Sequence, residues 1–202
     1  PALPFDPQAR DNAVQKLVAG IDDKLSIVSR PIVSAGVVRL ADYQNQDYAK
    51  LYLKRLEPIL AIEAARPGKP DELLTEVARQ LALAMAYEDT IRVAELKIRA
   101  SRFQRVAEEV VVKPGQLLEI VEFMHPRTQE IAETLPAGLG RFILNTGWVR
   151  SIVDAFTRKG RKVKTSSIRG FLLLYMVASL KPMRPRSLRW IDEQKRVTQW
   201  LD

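Results

Sequence analysis

Apolar residues recur at steps of three and four through nearly the whole chain, and this spacing limits what the chain can fold into more than any other feature. Val14, Leu17, Val18, Ile21, Leu25 and Val28 follow it, as do Tyr48, Leu51, Tyr52, Leu56, Ile59 and Leu60. Leu73, Leu74, Val77, Leu81, Ala84 and Met85 form a third series. An α-helix places such positions on one face, whereas a half-buried strand needs strict alternation. The pattern predicts an all-α chain, with Val110-Val111-Val112 the one stretch suited to a short extended piece.

Caps and breakers divide the pattern into elements. Asp6-Pro7 opens a first helix, which Arg30-Pro31 ends. Ser34 caps a short helix reaching Asp42, and a long helix covers 47–65, where Pro58 predicts a kink or break near Arg55. Pro67-Gly68-Lys69-Pro70 is a loop, Asp71 opens the next helix, and another runs from Asp89 to Glu109. After the turn at Lys113-Pro114-Gly115, residues 116–123 read as helix, and Pro126 begins one that reaches Thr134. Residues 135–140 form a punctuated turn, 141–145 and 148–159 are helical, and Gly160 takes a C-terminal cap position. The basic loop Arg161-Lys162-Val163-Lys164 follows, and Thr165, Ser166 or Ser167 caps an apolar helix ending near Leu180. Pro182 and Pro185 close that helix, and Ser187 starts a last amphipathic one.

The helix at about 167–180 is apolar on nearly all sides. A helix of that kind is ordinarily surrounded by others, so it is expected at the centre of a multi-helix bundle. Its uninterrupted apolar part is about half of the roughly 20 residues a membrane crossing needs. No signal peptide is visible, and a soluble, cytoplasmic protein is expected. The expected organisation is a single helical domain over 1–202, with 67–70 and 113–115 as candidate divisions between lobes. The start at Pro1-Ala2-Leu3, without methionine, is expected of a processed end or of a piece of a longer polypeptide.

Composition excludes several chemistries. With no cysteine, the chain itself cannot form disulfides, thiolate zinc sites, iron–sulfur ligation or a cysteine nucleophile. A single histidine, His125, argues against a histidine-rich metal site, and its place before Pro126 suits a structural hydrogen bond. Gly138-Leu139-Gly140 lacks the third glycine of a dinucleotide loop, since Ile143 stands there and no strand precedes it. Glu108-Glu109 and Asp22-Asp23 are helix neighbours whose side chains diverge, so they form no acid–base couple. Tyr43, Tyr48, Tyr52 and Tyr87 suit core packing better than a base-stacking surface.

Charge is the remaining signal. The net charge is +8, yet the segment from Arg150 to Arg189 holds eleven Lys and Arg against Asp154 alone. The other 162 residues carry 21 bases and 23 acids. Such a segment can form a protein contact, a solvated face, a site for a phosphate-bearing ligand, or a nucleic-acid surface. Within it, Lys162, Lys164, Ser166 and Ser167 gather at the start of the apolar helix. Free N–H groups, hydroxyls and lysines there form a candidate anion site, with a plain helix cap as the alternative.

Several strings carry a family resemblance. They are Arg39-Leu40-Ala41-Asp42-Tyr43-Gln44 with Tyr48-Ala49, Leu74-Thr75-Glu76-Val77-Ala78-Arg79, and Leu83-Ala84-Met85-Ala86-Tyr87-Glu88-Asp89 with Val93-Ala94-Glu95-Leu96. Leu135-Pro136-Ala137-Gly138-Leu139-Gly140, Thr165-Ser166-Ser167-Ile168-Arg169-Gly170-Phe171-Leu172-Leu173-Leu174, and Ser187-Leu188-Arg189-Trp190 with Glu193-Gln194 complete the set. In this order they resemble the helical C-terminal region of the indolepyruvate:ferredoxin oxidoreductase family, in its beta (B) subunit, from about position 36 to 202. The resemblance implies an accessory domain of a complex that oxidatively decarboxylates aryl pyruvates to aryl-acetyl coenzyme A esters and reduces ferredoxin. It places thiamine diphosphate, iron–sulfur clusters and coenzyme A elsewhere in that complex, with no cofactor and no catalytic residue in this chain. The implied partners are a preceding α/β domain of the same subunit and the thiamine/iron–sulfur subunit. Where family members carry Lys-Asp after Met-Ala-Tyr, this chain has Glu88-Asp89. The alternative is a basic helical module for nucleic acid or a phosphate ligand.

Overall fold

The structure is a computed structural model that describes residues 12–22, 25–65, 72–110, 116, 118–158 and 160–202. The expected start at Asp6-Pro7, the loop at 67–70, the cap at Asp71 and the stretch 111–115 lie outside the described residues. The fold is predominantly α-helical, and its strands, among the described residues, are two short segments paired with each other. The chain divides into two compact units, Pro1–Tyr87 with Val197–Asp202, and Glu88–Arg196.

The first unit holds α1 (Asn12–Asp22), α2 (Arg30–Tyr43), α3 (Gln46–Ala64) and α4 (Glu72–Met85). Arg30-Pro31 begins a helix here and does not end one, because proline's fixed φ and missing N–H suit a first turn. Ser34 consequently lies inside α2. Asn45 caps α3 by accepting from the Tyr48 N–H at 2.9 Å, and the helix continues unbroken through Pro58. α2, α3 and α4 pack on one another around Val37, Leu40, Leu56, Leu74, Leu81 and Met85, all buried.

Tyr43, Tyr48 and Tyr52 are buried in this core, which removes them as a stacking surface. The Tyr48 hydroxyl donates to the Met85 carbonyl and the Tyr52 hydroxyl to the Ala78 carbonyl, each at 3.0 Å, tying α3 to α4. Burial pushes the Tyr52 hydroxyl above the ordinary phenol range, so it remains a donor. Tyr43 meets Tyr87 edge-on, with ring centroids 5.6 Å apart. Gly36 on α2 lies against Tyr52 so closely that a Cβ there would fall 2.5 Å from the hydroxyl oxygen and 2.6 Å from Cζ.

The second unit begins with α5 (Thr90–Lys97) and α6 (Ala100–Glu109), separate helices where the spacing predicts one. Arg99 turns extended between them, and Arg102 donates to the Lys97 carbonyl, one of the acceptors that the end of α5 leaves open. β1 (Val121–Met124) and β2 (Arg161–Lys164) pair antiparallel, with Phe123 opposite Lys162. These are the residues expected as helix and basic loop. The period-two pattern of β2 explains the difference: Val163 is buried and Lys162 and Lys164 are exposed.

α7 (Thr128–Thr134), α8 (Ala137–Asn145) and α9 (Gly147–Thr157) follow β1, so the glycines of the expected turn at 135–140 sit in the first turn of α8. α9 ends before Gly160, which leads into β2. α10 (Ile168–Ala178) follows β2, and a 3-10 helix, Lys181–Arg186, leads to α11 (Leu188–Leu201). Ser187, at the start of α11, accepts from the Trp190 N–H at 3.2 Å, and the Leu188 N–H donates to the Leu135 carbonyl.

α10 is not the centre of a bundle. It packs on α5 and β2, and within it only Gly170 and Leu174 are buried. All-round apolarity usually means all-round packing, but here the partners cover one side and leave the other in solvent.

Replacing Gly36 by Ala is expected to destabilise the first unit by about 1–3 kcal/mol, as overpacking against a fixed ring does. Urea unfolding followed by circular dichroism measures it, and an unchanged midpoint would show that α2 and α3 separate without cost.

Candidate functional site

The elbow from β2 into α10 is where the candidate anion residues lie. Ser167 is the cap of α10, accepting from the Gly170 N–H at 3.2 Å and donating to the Lys164 carbonyl at 2.6 Å. Ser166 accepts from the Ile120 N–H, and the Thr165 N–H donates to the Ile120 carbonyl, which fastens the elbow to the entry of β1. The Lys164 ammonium pairs with Glu119, and Lys162 lies over the Phe123 ring, 5.2 Å from its centroid. A Cβ on Gly170 would meet the Lys164 carbonyl oxygen at 2.1 Å, so the turn closes only on glycine. The structure thus brings the four residues together, but each already has a partner within the chain. An anion there would compete with Glu119 for Lys164.

Five bases of the segment are engaged in the same way. Arg150, Lys164, Lys181, Arg184 and Arg189 pair with Asp154, Glu119, Glu95, Asp89 and, for Arg189, both Glu133 and Glu193. Apart from Asp154, those acids come from outside the segment. Charge concentrated in sequence is spent across the fold.

Arg184 and Asp89 form the innermost of these pairs. Arg184 is 0% exposed, its Nε donates to Asp89 Oδ2 at 2.8 Å, and its Nη2 reaches Oδ1 at 3.3 Å. The same carboxylate caps α5 by accepting from the Arg92 N–H at 2.6 Å. One side chain therefore satisfies a helix end and a buried guanidinium together. Arg184 reaches it from within the 3-10 helix Lys181–Arg186, of which it is the buried residue.

Further along α5, Glu95 receives Lys181 at 3.1 Å, Arg92 at 3.0 Å and Arg99 at 2.9 Å. Burial raises its pKa, but Lys181 first, then Arg92 and Arg99, outweigh that and hold the carboxyl below the usual glutamate range. Glu122, pointing inward from β1, takes Lys97 and Arg102. Thr128 is buried and donates to Asp154. His125 is exposed after β1. Among the described residues, no three His, Cys, Asp or Glu side chains converge as a metal site requires, and no helix is long and apolar enough to cross a membrane.

The sequence model of a family of unknown function, DUF6537, matches residues 29–202. The chain belongs to this family. No curated protein and no solved structure matches it. The DUF6537 match spans both compact units, including the Asp89–Arg184 pair and the β2–α10 elbow.

The sequence placed Asp89 at a helix start and Ser167 among three possible caps, but missed the guanidinium that Asp89 also holds and the carbonyl to which Ser167 donates. Arg184 gave a usable signal, a base set between two prolines too close together for a regular helix. It also missed the surface that is most unusual. α8 and α9 leave Phe142, Trp148, Ile152 and Phe156 exposed, Trp148 at 67% and Phe156 at 72%.

Two outcomes follow from the ion pairs. Arg184→Met leaves Asp89 charged and buried without its guanidinium, so a loss of about 3–5 kcal/mol is expected in urea unfolding. Adding Asp89→Asn, which keeps an oxygen for the cap, should recover part of it; no recovery would deny the pairing. Glu95, held below its unfolded value, stabilises the fold above roughly pH 4.3, and that contribution is lost as pH falls through its folded value. Glu95→Gln should lessen the loss of stability on acidification, and an unchanged acid limb would count against the cluster.

Proposed function

We propose that the chain is a non-catalytic helical docking domain of an indolepyruvate (aryl 2-oxoacid):ferredoxin oxidoreductase beta subunit, working in the cytoplasm. In that reading the complex decarboxylates the 2-oxoacid oxidatively, forms the coenzyme A ester and reduces ferredoxin. Thiamine diphosphate and the iron–sulfur clusters are held by other parts of the complex. This domain supplies a packing surface for the α/β domain of its own subunit and for the thiamine/iron–sulfur subunit.

The observation that carries the docking role is the exposure of Phe142, Trp148, Ile152 and Phe156 on consecutive helices. Burying a side chain of this size is worth about 1.5–3 kcal/mol, so consecutive helices that leave four of them in water are suited to association. The resemblance of the strings from Arg39 to Gln194 supports the choice of complex. The ion pairing of Arg150, Lys164, Lys181, Arg184 and Arg189 weighs against a basic surface devoted to nucleic acid or phosphate.

The purified chain is expected to co-elute with the thiamine-binding subunit in size-exclusion chromatography. Alone, with indolepyruvate and coenzyme A, it should reduce no viologen dye. Turnover by the chain alone, or failure to bind that subunit, would overturn the proposal.

A further inference from the structure

α10 is a surface helix turned inside out. Gly170, Leu174 and Val177 mark the side that faces α5, and the opposite arc carries Ile168, Leu172, Tyr175 and Met176. These four stand at the i, i+4, i+7, i+8 spacing of a helix's buried face, yet Ile168 is 80% and Met176 61% exposed. The strip is about 12 Å long, from the rise per residue of the helix between Ile168 and Met176. β1, the neighbour of β2, is inverted in the same sense: Phe123 faces solvent while Glu122 points inward.

The charge around the strip says what can cover it. No Asp or Glu occurs between Asp154 and Asp192. Arg169 stands on α10 beside Leu172 and Leu173, and Arg186 follows in the 3-10 helix; both are exposed. The whole second unit carries 21 Lys and Arg against 12 Asp and Glu. A second copy docked through the same unit would bring like charge against like, so the strip suits a surface of opposite character.

We infer that the outward face of α10 is the docking site for a partner polypeptide whose contact is apolar at its centre and carries carboxylates at its margin, opposite Arg169. Resting on the oxidoreductase reading above, this partner surface belongs to the thiamine-binding subunit. Ile168, Leu172, Tyr175 and Met176 supply the buried centre of the contact, and Arg169 sets its orientation and raises the association rate.

The test measures binding of the purified thiamine-binding subunit to the full chain and to exposed-site variants, with circular dichroism confirming that each variant is folded. Ile168→Glu and Met176→Glu are expected to weaken binding about tenfold or more each, in the manner of central interface positions. Arg169→Glu should weaken it and reduce its dependence on salt, while Lys54→Glu, on α3, should leave it unchanged. Equal binding by the unsubstituted chain and the α10 variants would overturn the inference and leave the oxidoreductase reading standing. No binding by the unsubstituted chain would remove both. Binding to phosphatidylserine vesicles that the same variants abolish would make the strip a lipid surface, and a dimer abolished by them would make it a self-contact. Either result overturns the inference.

Discussion

The buried pair between Arg184 and Asp89 is the contact on which the second unit depends. An arginine with no exposure to water is tolerable only if its charge and its donors are met. Asp89 meets the charge and two of the donors, and the same carboxylate holds the first turn of α5 through the Arg92 N–H. Residues 95 apart in sequence are thereby fixed in one register. α5 in turn is the floor on which α10 lies, and its Glu95 receives Lys181 from the start of the 3-10 helix. Losing the pair would free both ends of that arrangement together.

The distribution of charge follows from the same joint. In sequence, the segment from Arg150 to Arg189 looks like a basic patch open to a ligand. In space, Asp89, Glu95, Glu119, Glu133 and Glu193 reach into it from other elements. The exposed pairs among these, such as Lys164 with Glu119, contribute little to stability, typically under about 1 kcal/mol. The buried ones matter because breaking one leaves a charge with nowhere to go. Arg158, Lys162, Arg169 and Arg186 remain exposed with no acidic partner among the described residues.

Much of the helical framework was legible because its determinants are local. The three-and-four spacing marked α3 and α4, a helix does begin at Asp89, and of the three possible caps for the apolar helix Ser167 is the one used. The strands were not legible, since four residues are too few for periodicity to separate strand from turn or helix. Of the candidate site, the sequence placed Lys162, Lys164, Ser166 and Ser167 on one elbow but could not say that Glu119, Phe123, Ile120 and Gly170 would engage them. Those partners lie on other elements or depend on a backbone turn, and no spacing along the chain reports them. Arg184 was visible as a base among many; its burial shows only in the fold.

The misjudged position of α10 is the most informative of these differences. An apolar helix solves its contact with water in one of two ways, by sitting at a centre or by waiting for a partner, and sequence alone does not separate them. Gly170 settles the side that faces inward, because only a residue without a Cβ lets the helix start so close to the Lys164 carbonyl. With that side fixed, Ile168, Leu172, Tyr175 and Met176 must face outward. All four are exposed, so the described fold leaves their apolar surface uncovered. The proposed partner contact rests on that exposure, and the exposed Arg169 beside them, with no acid on the helix to offset it, gives the contact its sign.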